Sequence, residues 1–563
     1  MPRYIAGALF LLLTNGFALL IPWFMKLAVE GIQNPDTARF TPAACALIIV
    51  FLAVGHCLAR IYSRTQILNA ARILEFRIRE DLFRNLLRLD LQFYSNFRTG
   101  DILSRFSNDL TNVRMLTGFG ILSAVNSLIL YTAAVSLMIR IHPQLTFWSI
   151  LPFPLMVLVV KKLSYKIFQR SINAQEELAT LTSRAEESLA AIRLIKSCCR
   201  EEYFEQTFDQ TAERYLHFNL KIARLRGFII PVMATATGAG TLITLFMGGR
   251  LVIEGVLTLG DFVAFSGYLA MLVWPTAIMG WIISLAQRGA ASMSRLAEIL
   301  EAEPGIKDFP DAVTVSKLSS GIELRNVEID YGEKKMLDGV SFFIAAGEKI
   351  GITGDVGSGK STLLRTIVRL MPVADGMIFL DGTDINRISL ASLHSLIGYV
   401  PQEALLFSRS ISENIAFGAG NNAQADLEQA AAKAGFLDDI SRLPEGISTI
   451  VGEKGITLSG GQKQRLSIAR ALAGEPQVLL LDDPLSAVDA GREEEILHQL
   501  GIFFQKRTVL VVSQRVSVFR ECDRVIVLKE GKIVEQGSPA ELLESGGLYA
   551  EMYQTQQLRE ELG

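Results

Sequence analysis

The sequence predicts a multi-domain protein: an all-α domain of six transmembrane helices with long cytoplasmic helical extensions, followed by an α/β domain. Half of the 563 residues are hydrophobic and only a fifth are charged, which is typical of a membrane protein with an attached soluble part. Six windows free of Asp, Glu, Lys and Arg approach the roughly 20 residues that a bilayer requires. From Ile322 onward, short apolar runs alternate with helical patterns.

Charge and cysteine content argue against several functional classes. The net charge is only −3, without a basic tail or an acidic block, so the sequence indicates no nucleic-acid partner. The five cysteines show no metal-ligand spacing, and the adjacent Cys198 and Cys199 disfavour an ordinary disulfide. A reducing cytosol around the soluble part fits this pattern.

The distribution of arginines sets the orientation of the six spans. Ten arginines lie between Arg60 and Arg114, whereas the predicted outer loops hold little more than Arg39, Arg140 and Arg250. The positive-inside rule therefore places the long loops in the cytoplasm. The first span lacks a small-residue cleavage site and stays apolar too long for a signal peptide. We predict spans at about 5–25, 42–59, 115–139, 144–160, 227–249 and 262–287.

Two cytoplasmic stretches, roughly 61–114 and 161–226, carry helical patterns instead of loop composition. At about 1.5 Å per residue, each arm of such a hairpin could extend a membrane helix some 30 Å into the cytosol. We expect long helical hairpins whose cytoplasmic ends contact another part of the protein or a partner. Solvated helices without such a contact are the simpler alternative.

The soluble part begins after a linker that contains Pro, Gly and Ser. We predict a transmembrane domain over 1–303, a linker over 304–321 and a soluble α/β domain over 322–563, whose motifs, described next, predict nucleotide binding. The apolar runs "KIGITG", "LIGYVPQ", "VLLLDD" and "TVLVVSQ" alternate with helical patterns, as expected for an α/β domain with a mostly parallel sheet.

The stretch "GDVGSGKST" follows the predicted strand "KIGITG" and matches the phosphate-loop pattern. Its glycines let backbone N–H groups close around phosphates, Lys360 reaches the β/γ oxygens, and the Ser361 hydroxyl is offered to Mg²⁺. ATP and Mg²⁺ are therefore the predicted cofactors. The candidate nucleotide-binding residues here are Gly354, Gly357, Ser358, Gly359, Lys360, Ser361 and Thr362.

Two adjacent aspartates end the buried strand "VLLLDD", about 120 residues downstream. A second strand should deliver a metal-holding acid at this distance from a phosphate loop. Asp482 is the candidate for Mg²⁺, and Asp483 would face the attacking water. A turn or capping role would explain either aspartate alone, but it explains the pair beside a phosphate loop poorly.

Between these motifs lies "LSGGQ", whose candidate residues are Ser459, Gly460, Gly461 and Gln462. Backbone N–H groups at a helix N-terminus form a second anion site. One nucleotide cannot occupy two phosphate sites in one monomer. We therefore expect two such domains head to tail, each presenting "LSGGQ" to the ATP held by the other.

In this order and spacing, "GDVGSGKST", "VPQ", "LSGGQ" and "VLLLDD" resemble the nucleotide-binding domain of an ABC transporter. The six spans, "FRTGDILSRFSNDL" and "ESLAAIRLIKSCCREE" resemble an exporter half-transporter, so the resemblance covers almost the whole chain. It implies that Tyr331 stacks on adenine, that Gln402 senses Mg²⁺ and links to the membrane helices, and that Ser486 to Asp489 cross the dimer.

Two positions depart from that family pattern. The acid after the metal aspartate is usually glutamate and here is Asp483, and the expected His-Arg pair is Gln514-Arg515. Asp483 is one methylene shorter, and a misplacement of about 1 Å can cost ~10²-fold in rate. Gln514 cannot supply the charge or proton chemistry of histidine. Asp483 and Gln514 are therefore the candidate catalytic residues of an impaired site.

The resemblance implies ATP-driven export by alternating access, with this chain as the degenerate half of a heterodimer. Its partner would be a second half-transporter with the catalytic glutamate and the switch histidine. The substrate would be a hydrophobic small molecule, lipid or peptide. We expect a multi-pass protein of the bacterial inner membrane with a cytoplasmic nucleotide-binding domain. The alternatives are a slow homodimeric exporter or lipid flippase, and an ATP-gated channel or receptor.

Overall fold

A computed structural model describes residues 2–36, 39–331, 334–420, 426–452, 455, 458–484 and 507–562. The chain forms two compact units. The first comprises Met1–Leu87 and Thr99–Ala302, and the second comprises Arg88–Arg98 and Glu303–Gly563. The short segment Arg88–Arg98 thus groups with the second unit although it lies within the first in sequence.

The first unit is all helical, and six of its helices are long and apolar enough to cross a membrane among the residues described. Each contains one of the predicted spans, so the six-helix prediction is confirmed. The long helices are α1 (Pro2–Gln33), α2 (Pro42–Leu86), α4 (Thr99–Ile141), α5 (Pro143–Ala190), α7 (Glu201–Ile253) and α8 (Leu259–Leu300). The short helix α6 (Ile192–Ser197) lies between α5 and α7. The short helix α3 (Leu91–Asn96) lies between α2 and α4 in sequence but belongs to the second unit.

Local sequence signals explain where these helices begin. The Thr41 hydroxyl caps α2 by accepting from Ala44 N, and Pro42 occupies the first turn, where its missing N–H costs nothing. Thr258 caps α8 in the same way by accepting from Asp261 N. α2 runs well past its apolar window to Leu86, which confirms that the cytoplasmic extension is helical.

Polar contacts join the helices at close approaches. Ser63 Oγ on α2 donates to the carbonyl oxygen of Gly7 on α1 at 2.7 Å. Asp109 on α4 is buried and accepts from Ser292 Oγ at 2.7 Å and from Arg295 Nε at 2.9 Å. Because both donors belong to α8, this carboxylate fixes α4 against α8.

The second unit contains two β-sheets. The larger has the order β10-β9-β3-β8-β7-β6 and is parallel except for the β9–β10 pair, which confirms the predicted parallel sheet. The smaller, β2-β1-β4-β5, is antiparallel and was not predicted. The strands are β1 (Gly321–Tyr331), β2 (Lys334–Ala345), β3 (Lys349–Gly354), β4 (Ile378–Leu380), β5 (Thr383–Asp384), β6 (Ile397–Val400), β7 (Val478–Asp482), β8 (Thr508–Val512), β9 (Arg524–Lys529) and β10 (Lys532–Gly537).

Helices accompany this sheet as expected for an α/β domain. Among the residues described they are α9 (Lys360–Ile367), α10 (Leu390–Leu396), α11 (Ile411–Ala419), α12 (Leu427–Lys433), α13 (Leu437–Ser441), α14 (Gly460–Ala473), α15 (Pro539–Glu544) and α16 (Leu548–Leu562). The strand β7 is buried throughout, which explains its continuous apolar run.

The parallel register decides where the site lies. β3 pairs with β8, and β8 pairs with β7, all in parallel. Their carboxyl ends therefore meet at one edge of the sheet, the usual position for ligand sites in open α/β sheets. α8 ends at Leu300 and β1 begins at Gly321, while the domain limits given above stay a prediction.

Candidate nucleotide-binding site

The phosphate loop connects β3 to α9 through backbone conformations that require glycine. Gly354 has φ 141° and Gly359 has φ 100°, both in the region that disfavours residues with a Cβ. A Cβ on Gly359 would collide with the carbonyl oxygen of Met336, and one on Gly354 with that of Leu528. These two glycines therefore let the loop turn tightly between strand and helix.

Lys360 is buried at the first turn of α9. Its Nζ donates to the carbonyl oxygens of Gly354 at 2.8 Å and Asp355 at 2.7 Å, and to Ser358 Oγ at 3.4 Å. Burial lowers the pKa of this ammonium group, although the negative charges of nearby aspartates, Asp355 first, act to raise it. The loop thus encloses the ammonium group of Lys360. Phosphate oxygens bound in the loop would replace its contacts with the carbonyl oxygens.

Ser361 and Asp482 meet at the edge of the sheet. Ser361 Oγ donates to Asp482 Oδ1 at 2.8 Å, and Asp482 is only 1% exposed. Its other carboxylate oxygen, Oδ2, is buried without a hydrogen-bond partner among the residues described. Burial raises the pKa of Asp482. A buried carboxylate oxygen without a partner, beside a hydroxyl, is a donor set suited to a hard cation.

Asp483 follows in a left-handed backbone conformation with φ 49°. Its N–H donates to the carbonyl oxygen of Val512 at 2.9 Å, and Ser513 Oγ donates to its Oδ1 at 3.5 Å. Burial, and next the adjacent Asp482 charge, raise the pKa of Asp483. The second aspartate is therefore held against the end of β8 and has a raised proton affinity.

A cavity brings most of the sequence-predicted residues together. Gln402, which follows β6, and Gln514, which follows β8, both line it beside the phosphate loop and the two aspartates. Gly354 and Ser358 lie next to it as partners of Lys360. The predicted residues that line it are Gly357, Gly359, Lys360, Ser361, Thr362, Gln402, Asp482, Asp483 and Gln514.

Two sequence-based predictions concern groups that the structure does not describe. The strand β1 reaches Tyr331, but its side chain is not described, and neither is the segment from Ser486 to Asp489. The adenine stacking of Tyr331 and the dimer-crossing role of that segment stay predictions.

The "LSGGQ" residues lie at the start of α14 and do not line the cavity described above. Ser459 is the N-cap: its hydroxyl accepts from Gln462 N, and the Gln462 side chain accepts from Ser459 N. This capping box leaves Gly460 and Gly461 as the first residues of the helix. Their N–H groups thus open the helix at its positive end.

Sequence reasoning missed the groups that hold this helix in place. Asp439 on α13 accepts from Gln462 Nε2 at 3.2 Å and from Arg465 Nε at 2.8 Å. Asp439 and Arg465 are 6% and 4% exposed. The signal was available, since Gln462 and Arg465 are three apart on one helix face, but nothing local identified their acidic partner.

The similarity to known proteins agrees with these features. The profile described as "ABC transporter transmembrane region" matches residues 4–276, and that described as "ABC transporter" matches residues 337–486. The chain is 35% identical over 563 residues to "Probable multidrug resistance ABC transporter ATP-binding/permease protein YheI" of Bacillus subtilis (strain 168), covering 99% of this chain and 95% of the relative. This chain belongs to the ABC transporter family.

Other relatives of this ABC transporter have related names. "Multidrug resistance-like ATP-binding protein MdlA" of Escherichia coli (strain K12) is 34% identical and covers 99% of this chain and 94% of that one. "ATP-dependent lipid A-core flippase" of Syntrophus aciditrophicus (strain SB) is 30% identical, with 100% and 93% covered. A solved "bacterial Atm1-family ABC exporter with ATP bound" has a TM-score of 0.81 at 28% identity, with 99% of each chain covered. The chain is thus an exporter-type ABC transporter with fused transmembrane and ATP-binding domains.

Proposed function

We propose that this transporter uses ATP to export hydrophobic or amphipathic compounds, drug-like or lipid-like, across the bacterial inner membrane by alternating access. The observation that carries the proposal is the cavity that joins the phosphate loop to Asp482 and Asp483, in a chain that also has six apolar helices. Relatives named for multidrug resistance and for lipid A-core flipping support this substrate range.

Ser361, Gln402 and Asp482 would hold Mg²⁺ in this site. The unpartnered Oδ2 of Asp482 and the adjacent Ser361 hydroxyl fit such an ion. Bound Mg²⁺ would offset negative charge on the β- and γ-phosphates. Lys360 would bind the same phosphate oxygens, and the loop N–H groups would orient them.

The site of this chain would hydrolyse ATP slowly. Asp483 reaches one methylene less far than glutamate, while its backbone is fixed to Val512 and its side chain is held by Ser513. Gln514 lines the cavity and can donate a hydrogen bond to phosphate, but it cannot carry the charge of histidine. The two features together favour a site that retains bound ATP and hydrolyses it slowly.

A heterodimer would reconcile this slow site with an intact "LSGGQ". In a head-to-tail pair, Ser459 to Gln462 of this chain would complete the phosphate site of a partner that has the glutamate and histidine. A homodimer is the second candidate, because this chain carries both a phosphate loop and "LSGGQ" and two copies would form two equal, slow sites.

Two measurements test the proposal in phosphatidylcholine nanodiscs and in inside-out vesicles. ATPase activity of the chain alone should be low, and it should rise strongly when a half-transporter with glutamate at the equivalent position is added. Vigorous activity of the isolated chain would contradict the slow site. ATP-dependent uptake of an amphipathic dye into vesicles tests export. Flux of solute down its gradient without hydrolysis would instead indicate a channel.

A further inference from the structure

The strand β6 carries a tyrosine, Tyr399, beside the candidate metal ligand Asp482. β6 pairs with β7 in parallel, and Tyr399 lies opposite Leu480. Side chains alternate between the two faces of a sheet, so Tyr399 shares a face with Asp482, which lies two residues beyond Leu480. Tyr399 packs against the core cluster that contains Leu480 and, from α9, Leu364. The phenol ring and the Asp482 carboxylate therefore lie on the side of the sheet that α9 covers.

The hydroxyl oxygen of Tyr399 and Oδ2 of Asp482 are both buried, and neither has a hydrogen-bond partner among the residues described. A buried polar atom without a partner is costly, so each such atom calls for an explanation. The two groups are complementary, because a phenol donates a hydrogen bond and an ionised carboxylate only accepts. Ser361 already donates to Oδ1. Oδ2 can accept from Tyr399 with one lone pair and keep the other for a cation or its water.

Electrostatic effects on the pKa values connect the same two groups. Burial raises the pKa of Asp482, whereas the hydroxyls of Ser361 and Tyr399 act to lower it. Burial also raises the pKa of the Tyr399 phenol, while Arg365 on α9 acts to lower it and the Asp482 charge acts to raise it. A guanidinium group only donates hydrogen bonds. Arg365 would therefore engage the phenol oxygen and leave the phenol proton for the carboxylate.

We propose that Tyr399 is a positioning residue of the metal site: its hydroxyl donates to Asp482 Oδ2 and holds the carboxylate in the orientation that binds Mg²⁺. The inference rests on the Mg²⁺ site proposed above and adds a residue to it. Tyr399 does not line the nucleotide cavity, so it acts on the cation only through Asp482. Loss of such a partner of a metal ligand typically costs about 10–100-fold in metal affinity.

A tyrosine on a buried strand also serves for packing alone. Tyr399→Phe separates the two roles, because it removes the hydroxyl and keeps the ring. The same unit provides the matched control. Tyr549 on α16 is 2% exposed, belongs to a different core cluster and does not line the nucleotide cavity. Tyr549→Phe therefore removes a hydroxyl from a buried ring without altering the surroundings of Asp482.

The test measures Mn²⁺ binding to the full-length protein in phosphatidylcholine nanodiscs, together with the non-hydrolysable β,γ-imido analogue of ATP. Mn²⁺ replaces Mg²⁺ because both prefer oxygen ligands, and the EPR signal of free Mn²⁺ reports how much is bound. The protein is kept in excess, so that nearly all of the analogue is bound. A second titration measures binding of trinitrophenyl-ATP in EDTA, where no metal contributes. The variants are Tyr399→Phe, Tyr549→Phe and Asp482→Asn.

We expect Tyr399→Phe to weaken Mn²⁺ binding by about tenfold, the lower end of the usual effect. Its binding of trinitrophenyl-ATP in EDTA should stay unchanged, because the phosphate loop and Lys360 are unaltered. A residue that only supports the fold would affect both titrations. Tyr549→Phe should change neither titration. Asp482→Asn should weaken Mn²⁺ binding more than Tyr399→Phe does, since it removes the charge of the ligand itself.

Equal Mn²⁺ affinities in Tyr399→Phe and Tyr549→Phe would overturn the inference. An equal loss of nucleotide binding in EDTA in Tyr399→Phe would also overturn it, because the phosphate loop itself would then be distorted. Asp482→Asn separates the inference from the proposed site. If Asp482→Asn weakens Mn²⁺ binding and Tyr399→Phe does not, the metal site stands and only the role of Tyr399 is refuted. If Asp482→Asn leaves Mn²⁺ binding intact, the proposed metal site and this inference both fail.

Discussion

Asp483 combines a short side chain with tight attachment. Its N–H is bonded to Val512 and its carboxylate accepts from Ser513, so its position is fixed by β8 and not by a loop. Any increase in reach must therefore come from the side chain. A longer acidic side chain at this position therefore tests the effect of reach on hydrolysis while the acidic group stays the same.

We expect Asp483→Glu to raise single-turnover hydrolysis at this site, and Asp483→Glu with Gln514→His to raise it further. The longer carboxylate would reach the attacking water, and a positioned general base typically contributes 10²–10⁴-fold. The assay uses a dimer whose partner glutamate is replaced by glutamine.

Two variants calibrate that experiment. Gln514→His alone should give little gain, because it leaves the short carboxylate in place. Asp482→Asn in the double variant should remove the gain, since Asp482 is the carboxylate bonded to Ser361. A double variant no faster than the unaltered chain would place the defect in the partner's "LSGGQ".

The buried Asp482 should also make the nucleotide-free protein less stable at neutral pH. Burial raises its pKa above the ordinary value of about 3.9, so the folded state binds more protons than the unfolded state in the window above that value. Stability therefore falls as pH rises through this window. We expect Asp482→Asn to raise the Tm of the full chain in EDTA at pH 7.5, and to raise it less at pH 4.5.

Asp438→Asn is the matched control, because Asp438 is exposed in the same domain. Its effect on Tm should be small and similar at both pH values. A Tm of Asp482→Asn below that of the unaltered chain at pH 7.5 would show that the charged form contributes net stability.

The structure brings the residues predicted from sequence close together where a motif fixes the backbone, while their roles stay predictions. The phosphate loop follows β3, Asp482 ends β7 and Asp483 follows it, and the apolar runs "KIGITG" and "VLLLDD" reveal these two strands. They meet because β3, β8 and β7 pair in parallel. Ser513 and Asp439 were missed because their partners come from other elements. Single-sequence patterns carry no information on such tertiary contacts.

At the scale of elements, the position of α14 depends on one buried carboxylate. Asp439 on α13 binds both Gln462 and Arg465, so the helix that begins with "GGQ" is fixed near its first turns by α13. Arg465 Nη2 lies 2.6 Å from Asp439 Oδ2, and both side chains are nearly fully buried. Removing the aspartate would leave a buried guanidinium without its acid.

We expect Asp439→Ala to destabilise the protein by about 3–5 kcal/mol, the usual cost of an unpaired buried charge. It should also reduce ATPase activity at the partner's site, because Gln462 loses its anchor. Thermal unfolding and heterodimer ATPase activity check the two effects. Asp438→Ala, one residue away and exposed, should leave both nearly unchanged.

The elements themselves were largely predictable, apart from the smaller sheet. β1 and β2 alternate in burial and β4 and β5 are very short, so their local patterns do not identify the strands with which they pair. Only long-range pairing, such as Ile322 with Leu380, separates them into an antiparallel sheet. The membrane helices were easier, because length and hydropathy alone identify them.

At the scale of the whole molecule, the proposed head-to-tail dimer predicts which chain each substitution affects. Lys360→Ala should weaken nucleotide binding at this chain's own phosphate loop. Ser459→Arg should instead impair the partner's site, because Ser459 does not line this chain's cavity. Photo-crosslinked ATP, mapped to each chain of a purified heterodimer, measures both.

Ser410→Arg offers a control for the bulk of the arginine, since Ser410 caps α11 through a similar capping box. It should leave the partner's labelling unchanged if the effect of Ser459→Arg depends on the "LSGGQ" position. Loss of label from this chain's own phosphate loop in Ser459→Arg would contradict the head-to-tail arrangement.

The left-handed backbone of Asp483 implies a trade-off between the rate of ATP hydrolysis and thermal stability. Aspartate adopts a φ near 49° more readily than most residues because its short side chain can bond locally. Glu475 and Glu530 adopt the same φ in this chain, so glutamate fits the conformation at a modest cost. We expect Asp483→Glu to lower the Tm of the nucleotide-free protein, at a cost of up to about 1 kcal/mol, while it gains hydrolysis. In the proposed heterodimer, a subunit that holds ATP would thereby keep the residue that favours thermal stability and leave rapid hydrolysis to its partner.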